Sequence, residues 1–347
     1  VRDLFGKGGD MSIDTSRRRL VLAALCAAGG AGSAAGLAAA SIRQGAGSDY
    51  PTRPVRLIVP LPPGGGADIV ARLICSQLSQ RLGQQVLVEN KGGGGGVIAA
   101  ELVAHADADG YTLLLGTATT HAIDVSLIKK LGYDPVKDFA PISLVASLPL
   151  ILVLNPSVPV DSLQELIVYA RARPGKLNFG STSNGSSIHL AGEMLNMVAG
   201  IEVVHIPYKG AAPALTDLLG GRFTFMFTTI PPVLQYVRSG QLKALAVASA
   251  ARTPLMPELP TTAEAGAPGV EASSWNGILA PAGTPREVVK RLNKEVVAIM
   301  QAPEMRQRLL ALGVEAKDDT PEEFAAFMKQ DTDRYAKVVK VSGAKID

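Results

Sequence analysis

The sequence predicts an α/β protein of two similar lobes joined by a hinge, and three observations carry that prediction. Short apolar runs rich in β-branched residues alternate with longer runs of helical period, the pattern of βαβ units around buried parallel strands. The alternation restarts near residue 150. At 347 residues the chain is also longer than one hydrophobic core usually spans.

In the first set, residues 55–59 read as a strand, 60–66 as a turn and 68–82 as a helix with Ile69, Val70, Leu73, Ile74 and Leu78 on one face. A strand over 86–88, a helix over 97–105 and a strand over 112–115 follow. The second set opens with an apolar strand over 150–154 that closes at Asn155-Pro156, then a helix to about residue 172 with Asp161 as its N-cap. Strands near 177–179, 203–206, 223–227 and 242–247 alternate with helices over 188–198 and 213–219. The tail is mostly helical, over 285–300 and 321–339, and is expected to pack on the first set. Two Rossmann-like lobes result, 50–150 with 277–347 and 151–276, the chain crossing near 150 and returning near 277. The sequence contains no tandem repeat of 20–50 residues that would indicate a solenoid.

Composition narrows the function classes. Hydrophobic residues at 47% and charged residues at 19% fit a folded α/β chain, while 5% aromatics and a formal charge of +3 leave no footprint for nucleic acid. Near the N-terminus, Ser16-Arg17-Arg18-Arg19-Leu20 and the Leu-, Val-, Ala- and Gly-rich run to Ala40 read as the basic and apolar regions of an export signal, with Ala38-Ala39-Ala40 at the cleavage site. The run is long enough to span a bilayer, but its Gly and Ala content makes it weakly apolar, so cleavage is expected. The arginines followed by Leu-Val-Leu also resemble a twin-arginine signal, with a third arginine and a missing Phe as departures. Residues 1–10 precede Met11 and are left out of the fold; residues 1–49 are assigned to signal and linker. Cleavage leaves a nearly neutral chain in which Cys75 is the one cysteine, so no intrachain disulfide is expected. The residues before Cys26 lack the order that lipid attachment requires.

In open α/β sheets ligands collect at the carboxyl ends of strands, which selects three loops. Pro62, Pro63, Gly64, Gly65 and Gly66 lie between the first strand and its helix, where glycines admit a close ligand and unpaired N–H groups attract an anion. Ile69 occupies the place of the last glycine of a GxGxxG motif, and no Lys-Ser/Thr pair follows, so neither a dinucleotide nor ATP fits. Ser181, Thr182, Ser183, Asn184 and Ser186, before the helix at Ile188, offer hydroxyl and amide donors for carboxylate oxygens. Thr117, Thr119 and Thr120, after the third strand of the first set, could face the same cleft. Lys91 and the glycines at 92–96 read equally as a flexible turn or a ligand loop.

Catalytic and metal readings find little support. No Gly-x-Ser-x-Gly register exists, and no nucleophile–base pairing is legible. His105, His121, His189 and His205 lie far apart with no HxxxH spacing, and His121 alone reads as structural. Cys75 sits among apolar neighbours and reads as core. Neither a cofactor nor a metal is expected, and no residue is assigned a catalytic role.

A family resemblance completes the reading. Tyr50-Pro51, the stretch from Pro54 to Pro60, Pro63-Gly64-Gly65, Val88-Glu89-Asn90 and Asp109-Gly110-Tyr111-Thr112-Leu113 resemble the Bug-type receptors of tripartite tricarboxylate transporters. So do the stretch from Tyr133 to Phe139, Asn178-Phe179-Gly180-Ser181, His189-Leu190-Ala191-Gly192-Glu193, Pro207-Tyr208-Lys209-Gly210 and the stretch from Leu279 to Pro285. The resemblance implies the type II periplasmic-binding-protein architecture and a ligand whose carboxylates meet backbone amides, hydroxyls and waters in the cleft. It maps the family's ligand loops onto residues 62–66, 117–120 and 181–187. Thr224 and Thr228 stand where many relatives have acids, and a glycine run at 92–94 where they have Pro-Gly-Ala; losing an acid at Thr228 implies a ligand without an amino group. The expected partners are a small organic carboxylate and the membrane permease subunits of a secondary transporter. The chain is expected to act in the periplasm as a monomer, by hinge closure. A sensor for a membrane signalling protein and a periplasmic hydrolase are the alternatives.

Overall fold

One long strand, buried along nearly its whole length, organises the molecule. The computed structural model describes residues 50–342, so the assignment of residues 1–49 to an export signal lies outside the described residues. The elements are β1 (Val55–Val59), α1 (Gly66–Leu82), β2 (Val86–Asn90), α2 (Val97–Ala104), β3 (Thr112–Thr117), α3 (Asp124–Leu127), β4 (Phe139–Leu154), α4 (Leu163–Arg171), β5 (Leu177–Ser181), α5 (Ser187–Ala199), β6 (Val203–Pro207), α6 (Ala211–Leu219), β7 (Phe225–Thr229), α7 (Leu234–Arg238), β8 (Lys243–Val247), β9 (Ser273–Pro281), α8 (Arg286–Gln301), α9 (Pro303–Ala311), β10 (Glu315–Ala316) and α10 (Pro321–Ser342).

The strands run in the order β2-β1-β3-β9-β4-β7-β5-β6, with β8 and β10 also paired to β4. Two parallel trios, β2-β1-β3 and β6-β5-β7, repeat the same order, as two successive βαβ sets dictate. β4 belongs to both. Its part from Phe139 to Pro149 pairs antiparallel with β9, and its part from Leu150 to Leu154 pairs with β7 and β8. Along that second part Leu150, Leu152 and Leu154 pack against α4 and α5 through Leu166 and Leu195, while Ile151 and Val153 pack against Ala214 and Leu218 of α6. Helices therefore cover both faces, which is why the run carries no polar residue.

Prolines hide most of β4 from a sequence reading, which finds only 150–154. Pro141 offers no N–H to a ladder, and the pairing register with β9 shifts just after it. β9 and α9 are likewise absent from the sequence expectation. The helix of 161–172 begins one residue later than predicted: Ser162, not Asp161, is the N-cap. Its Oγ accepts from Glu165 N–H at 3.1 Å, and Glu165 reaches back to accept from Asp161 N–H at 2.7 Å. The reciprocal Ser-x-x-Glu pair satisfies two backbone donors where Asp161 alone would satisfy one.

The C-terminal helix packs on the first set, with Phe324, Met328 and Tyr335 buried against Ile58, Leu114 and Leu144. It also fixes β9: Trp275 Nε1–H donates to Asp331 Oδ2 at 2.7 Å, and Tyr335 OH donates to Ser273 O at 2.8 Å. Arg81 of α1 pairs with Glu295 of α8 at 2.7 Å.

Candidate functional site

The parallel strands β1, β3, β5, β6 and β7 end on one cavity. Leu61, Pro62, Gly65, Gly66 and Ala67 come from the β1–α1 turn, Thr117 and Thr119 from the end of β3, and Thr182, Ser183, Ser186, Ser187 and Ile188 from the β5–α5 turn. Gly210 and Ala211 open α6, Thr228 and Thr229 end β7, and Leu148, Ser274 and Asn276 come from β4 and β9. Among the described residues none on the wall is ionisable. Instead the first turns of α1, α5 and α6 reach the wall, and α1 and α6 have no side chain capping their free N–H groups. Such dipoles favour an anion without a counter-charge.

Each loop is held from behind. Asp68 accepts from Gly64 N–H, Asn90 and Arg72, each at 3.0 Å, which sets the positive-φ turn at Gly64. Burial opposes ionisation of Asp68, but these bonds outweigh it and keep its carboxyl below the usual range. In the β3 loop a single π-helical turn, Thr119–Ile123, follows Thr117. Thr117 N–H donates to Thr120 Oγ1 at 3.1 Å, and Tyr133 OH donates to Thr120 O at 2.6 Å. In the β5–α5 loop Ser186 Oγ donates to Ser183 O and accepts from His189 N–H, capping α5.

Of the residues singled out from sequence, Pro62, Gly65, Gly66, Thr117, Thr119, Thr182, Ser183, Ser186 and Thr228 line this cavity; Pro63, Gly64, Thr120, Ser181 and Asn184 do not. Pro63, Gly64 and Asn184 are exposed, and Pro63 lines the neighbouring groove. Thr120 and Ser181 are fully buried and serve the loops behind the wall. Thr224 pairs with Asn178 through backbone bonds and is not on the wall. Glycines 92–96 line an open groove with Tyr208 and Lys209, and this groove shares Pro62, Thr182, Ser183 and Gly210 with the cavity.

Sequence reading missed Ser274, Asn276, Thr229 and Gly210. The first two sit on the unforeseen β9, Thr229 directly follows a chosen residue, and Gly210 opens a helix after a strand, a signal that strand-end reasoning could have used.

The structure also corrects one statement about pairing. Ser181 Oγ and His205 Nε2 are 2.6 Å apart, a serine–histidine contact the sequence did not reveal. It has no nucleophilic role on this geometry: Ser181 is sealed from solvent, its hydroxyl also donates to Ser183 O, and the ring of His205 stacks on His189 at 3.8 Å. Burial, with His189 adding to it, pushes His205 down to about 4. Among the described residues no group of three or more His, Cys, Asp or Glu could hold a metal ion.

Two α/β sets that end on a shared, uncharged cavity define a solute-binding protein of the periplasmic-binding type. The chain belongs to the tripartite tricarboxylate transporter receptor family, TctC, which matches residues 70–344. That family is one of binding receptors rather than enzymes. The chain is 40% identical over 298 residues to protein BugT of Bordetella pertussis, covering 86% of this chain and 91% of the relative. Among solved structures it is similar to Rpa4515 of R. palustris with adipate, with a TM-score of 0.84, 39% identity, and coverage of 86% of this chain and 100% of the other. MatC of Rhodopseudomonas palustris with bound malate gives a TM-score of 0.79, 35% identity and coverage of 84% and 100%. Among the described residues no helix is long and apolar enough to cross a membrane.

Proposed function

We propose that this receptor captures a small organic carboxylate without an amino group in the periplasm, and delivers it as a monomer to the permease of a tripartite tricarboxylate transporter. The two lobes are residues 50–150 with 277–347, and residues 151–276, and they close on the ligand about β4 and β9. The observation that carries this reading is the wall itself, in which helix N-terminal amides and hydroxyls converge with no ionisable side chain among the described residues. A carboxylate is stabilised by such dipoles, whereas an ammonium would be buried without an anion beside it. The adipate and malate bound by two relatives support the same ligand class. Four or five hydrogen bonds to a charged group, at about 1.5–3 kcal/mol each, offset ordering costs and leave micromolar affinity, about −8 kcal/mol.

Isothermal calorimetry against dicarboxylates of four to six carbons, with aspartate and glutamate as aminated controls, tests the proposal. At least one dicarboxylate should bind at micromolar Kd and raise Tm, and the amino acids should bind more weakly. Tighter binding of an amino acid, or no response to any organic acid, overturns it.

A further inference from the structure

We infer that Asn184, on the loop between β5 and α5, is a site of spontaneous covalent modification, and that His189 holds the reaction in check. The chemistry is closure of the Asn184 carboxamide on the next backbone nitrogen, and it does not depend on which ligand the cavity takes.

The sequence holds two Asn-Gly pairs, Asn184-Gly185 and Asn276-Gly277. In such a pair the glycine nitrogen can attack Cγ of the asparagine, because no Cβ on the second residue stands in the way. The N–Cγ bond forms, the Cγ–Nδ2 bond breaks, and Nδ2 leaves as ammonia with the proton that the glycine nitrogen gives up. Water then opens the cyclic imide at one of its carbonyls. Opening at Cγ leaves aspartate, and opening at the main-chain carbonyl leaves isoaspartate, whose backbone runs through the former side chain. Either product adds a carboxylate.

The fold separates the two pairs. Asn276 is 1% exposed, and Asn276-Gly277 is paired with β3 on one side and β4 on the other, so the chain cannot bend back into a ring. Asn184 is exposed in a turn that Gly185 completes with a φ of +73. Its carboxamide makes no hydrogen bond among the described residues and is free to turn.

One contact restrains it. Gly185 N–H donates to His189 Nδ1 at 3.0 Å. In the cyclic imide Cγ takes the place of that hydrogen, so the ring of His189 stands where Cγ must arrive. The ring is itself fixed, being buried, stacked on His205 at 3.8 Å and directed at Glu193 Oε1 through Nε2 at 3.5 Å. Closure therefore requires the loop to open first. Thr182, Ser183 and Ser186 of the same loop line the cavity, so the modification reshapes the backbone of the wall and sets a negative charge beside it.

Peptide mass mapping of the whole protein, aged at neutral pH without ligand, tests this, with isoaspartate detected by enzymatic methyl transfer. Asn184 should convert at least about tenfold faster than Asn276, yet about tenfold more slowly than it does in urea, where both pairs should convert alike. His189→Phe keeps an aromatic ring and removes the acceptor. In that variant conversion at Asn184 should rise about three- to tenfold while that at Asn276 stays as it was, which separates release of the loop from a general loss of stability. Conversion of Asn184 in the folded protein no faster than that of Asn276 overturns the site. Conversion as fast as in urea overturns the restraint, and that comparison uses the unaltered protein, so it decides the matter even if the variant does not fold. An unchanged or lower rate in His189→Phe overturns the role of His189.

Discussion

A Cβ on Gly66 would lie 2.7 Å from Thr229 Oγ1, so the first residue of α1 meets the last residue of β7 at a distance that only a glycine permits. The two residues belong to different strand sets, and Leu148 of the shared strand β4 closes the same contact at 3.0 Å. The cavity wall is tight at this point because a side chain is missing.

Gly66→Ala should therefore wedge the wall open. Thr229 is short and has little room to yield, so the expected effect is a loss of ligand affinity of about tenfold or more, with a stability cost in the range of about 1–3 kcal/mol that overpacking brings. Calorimetry beside a melting curve separates the two, and an unchanged Kd would show that binding does not depend on this approach.

Gly65 predicts a graded outcome. An alanine Cβ there would rest 3.8 Å from Ala211 Cβ, an ordinary contact, and Gly65 has an ordinary φ of −85. Gly65→Ala should bind ligand nearly as the parent does, whereas Gly65→Leu should project into the cavity and abolish binding with Tm little changed. Equal affinity in all three proteins would remove Gly65 from the wall.

Ser186 caps α5 and ties the Ser183 carbonyl, so Ser186→Ala should cost about 1 kcal/mol of stability, a Tm decrease of a few degrees. Ligand affinity should fall as well, since the loop it organises lines the cavity. Retained Tm would mean that another group caps the helix.

Asp124 gives a pH dependence with a definite sign. Burial pushes its carboxyl up to about 8, and Oδ2 has no hydrogen-bond partner among the described residues. The folded value lies above that of the unfolded chain, about 3.9, so the contribution to stability is full below that pH and is lost as pH rises through about 8. His121, which burial pushes down to about 3, and His205, at about 4, act the other way and lose stability as pH falls below about 6.5. Tm should therefore decline between about pH 6.5 and 8. Asp124→Asn should flatten that decline, and a parallel decline in the variant would sink the assignment.

Cys75 should be inert in the folded protein. Burial, partly offset by Arg72, raises its thiol to about 12, so almost no thiolate exists at neutral pH. A thiol reagent should label Cys75 only after denaturant is added; rapid labelling of the native protein would contradict the burial.

Much of the architecture is readable without coordinates. Val55–Val59 and the helix after it announce themselves because apolar period and turn residues are local properties. The Ser-x-x-Glu start of α4 is just as local, and Asp161 competes with Ser162 only while a single cap is weighed rather than the reciprocal pair. The family resemblance also rests on short ordered motifs. Strands β4 and β9 fail on the same criterion, since Pro141 and Gly277 look like breaks until the bulge and the ring of Phe324 that accommodate them are seen.

By itself the sequence determined the alternating α/β class, the family, and the strand-end loops around Gly65, Thr117 and Ser183, because period and turn chemistry are written in neighbouring residues. Only the tertiary structure decided that Thr120 and Ser181 stand behind the wall while Thr229 and Asn276 stand on it. Which face a residue turns to the cavity depends on what packs against its other side, here Tyr133 for Thr120, His205 for Ser181 and α10 for β9, and those partners lie anywhere from about a dozen to more than fifty residues away.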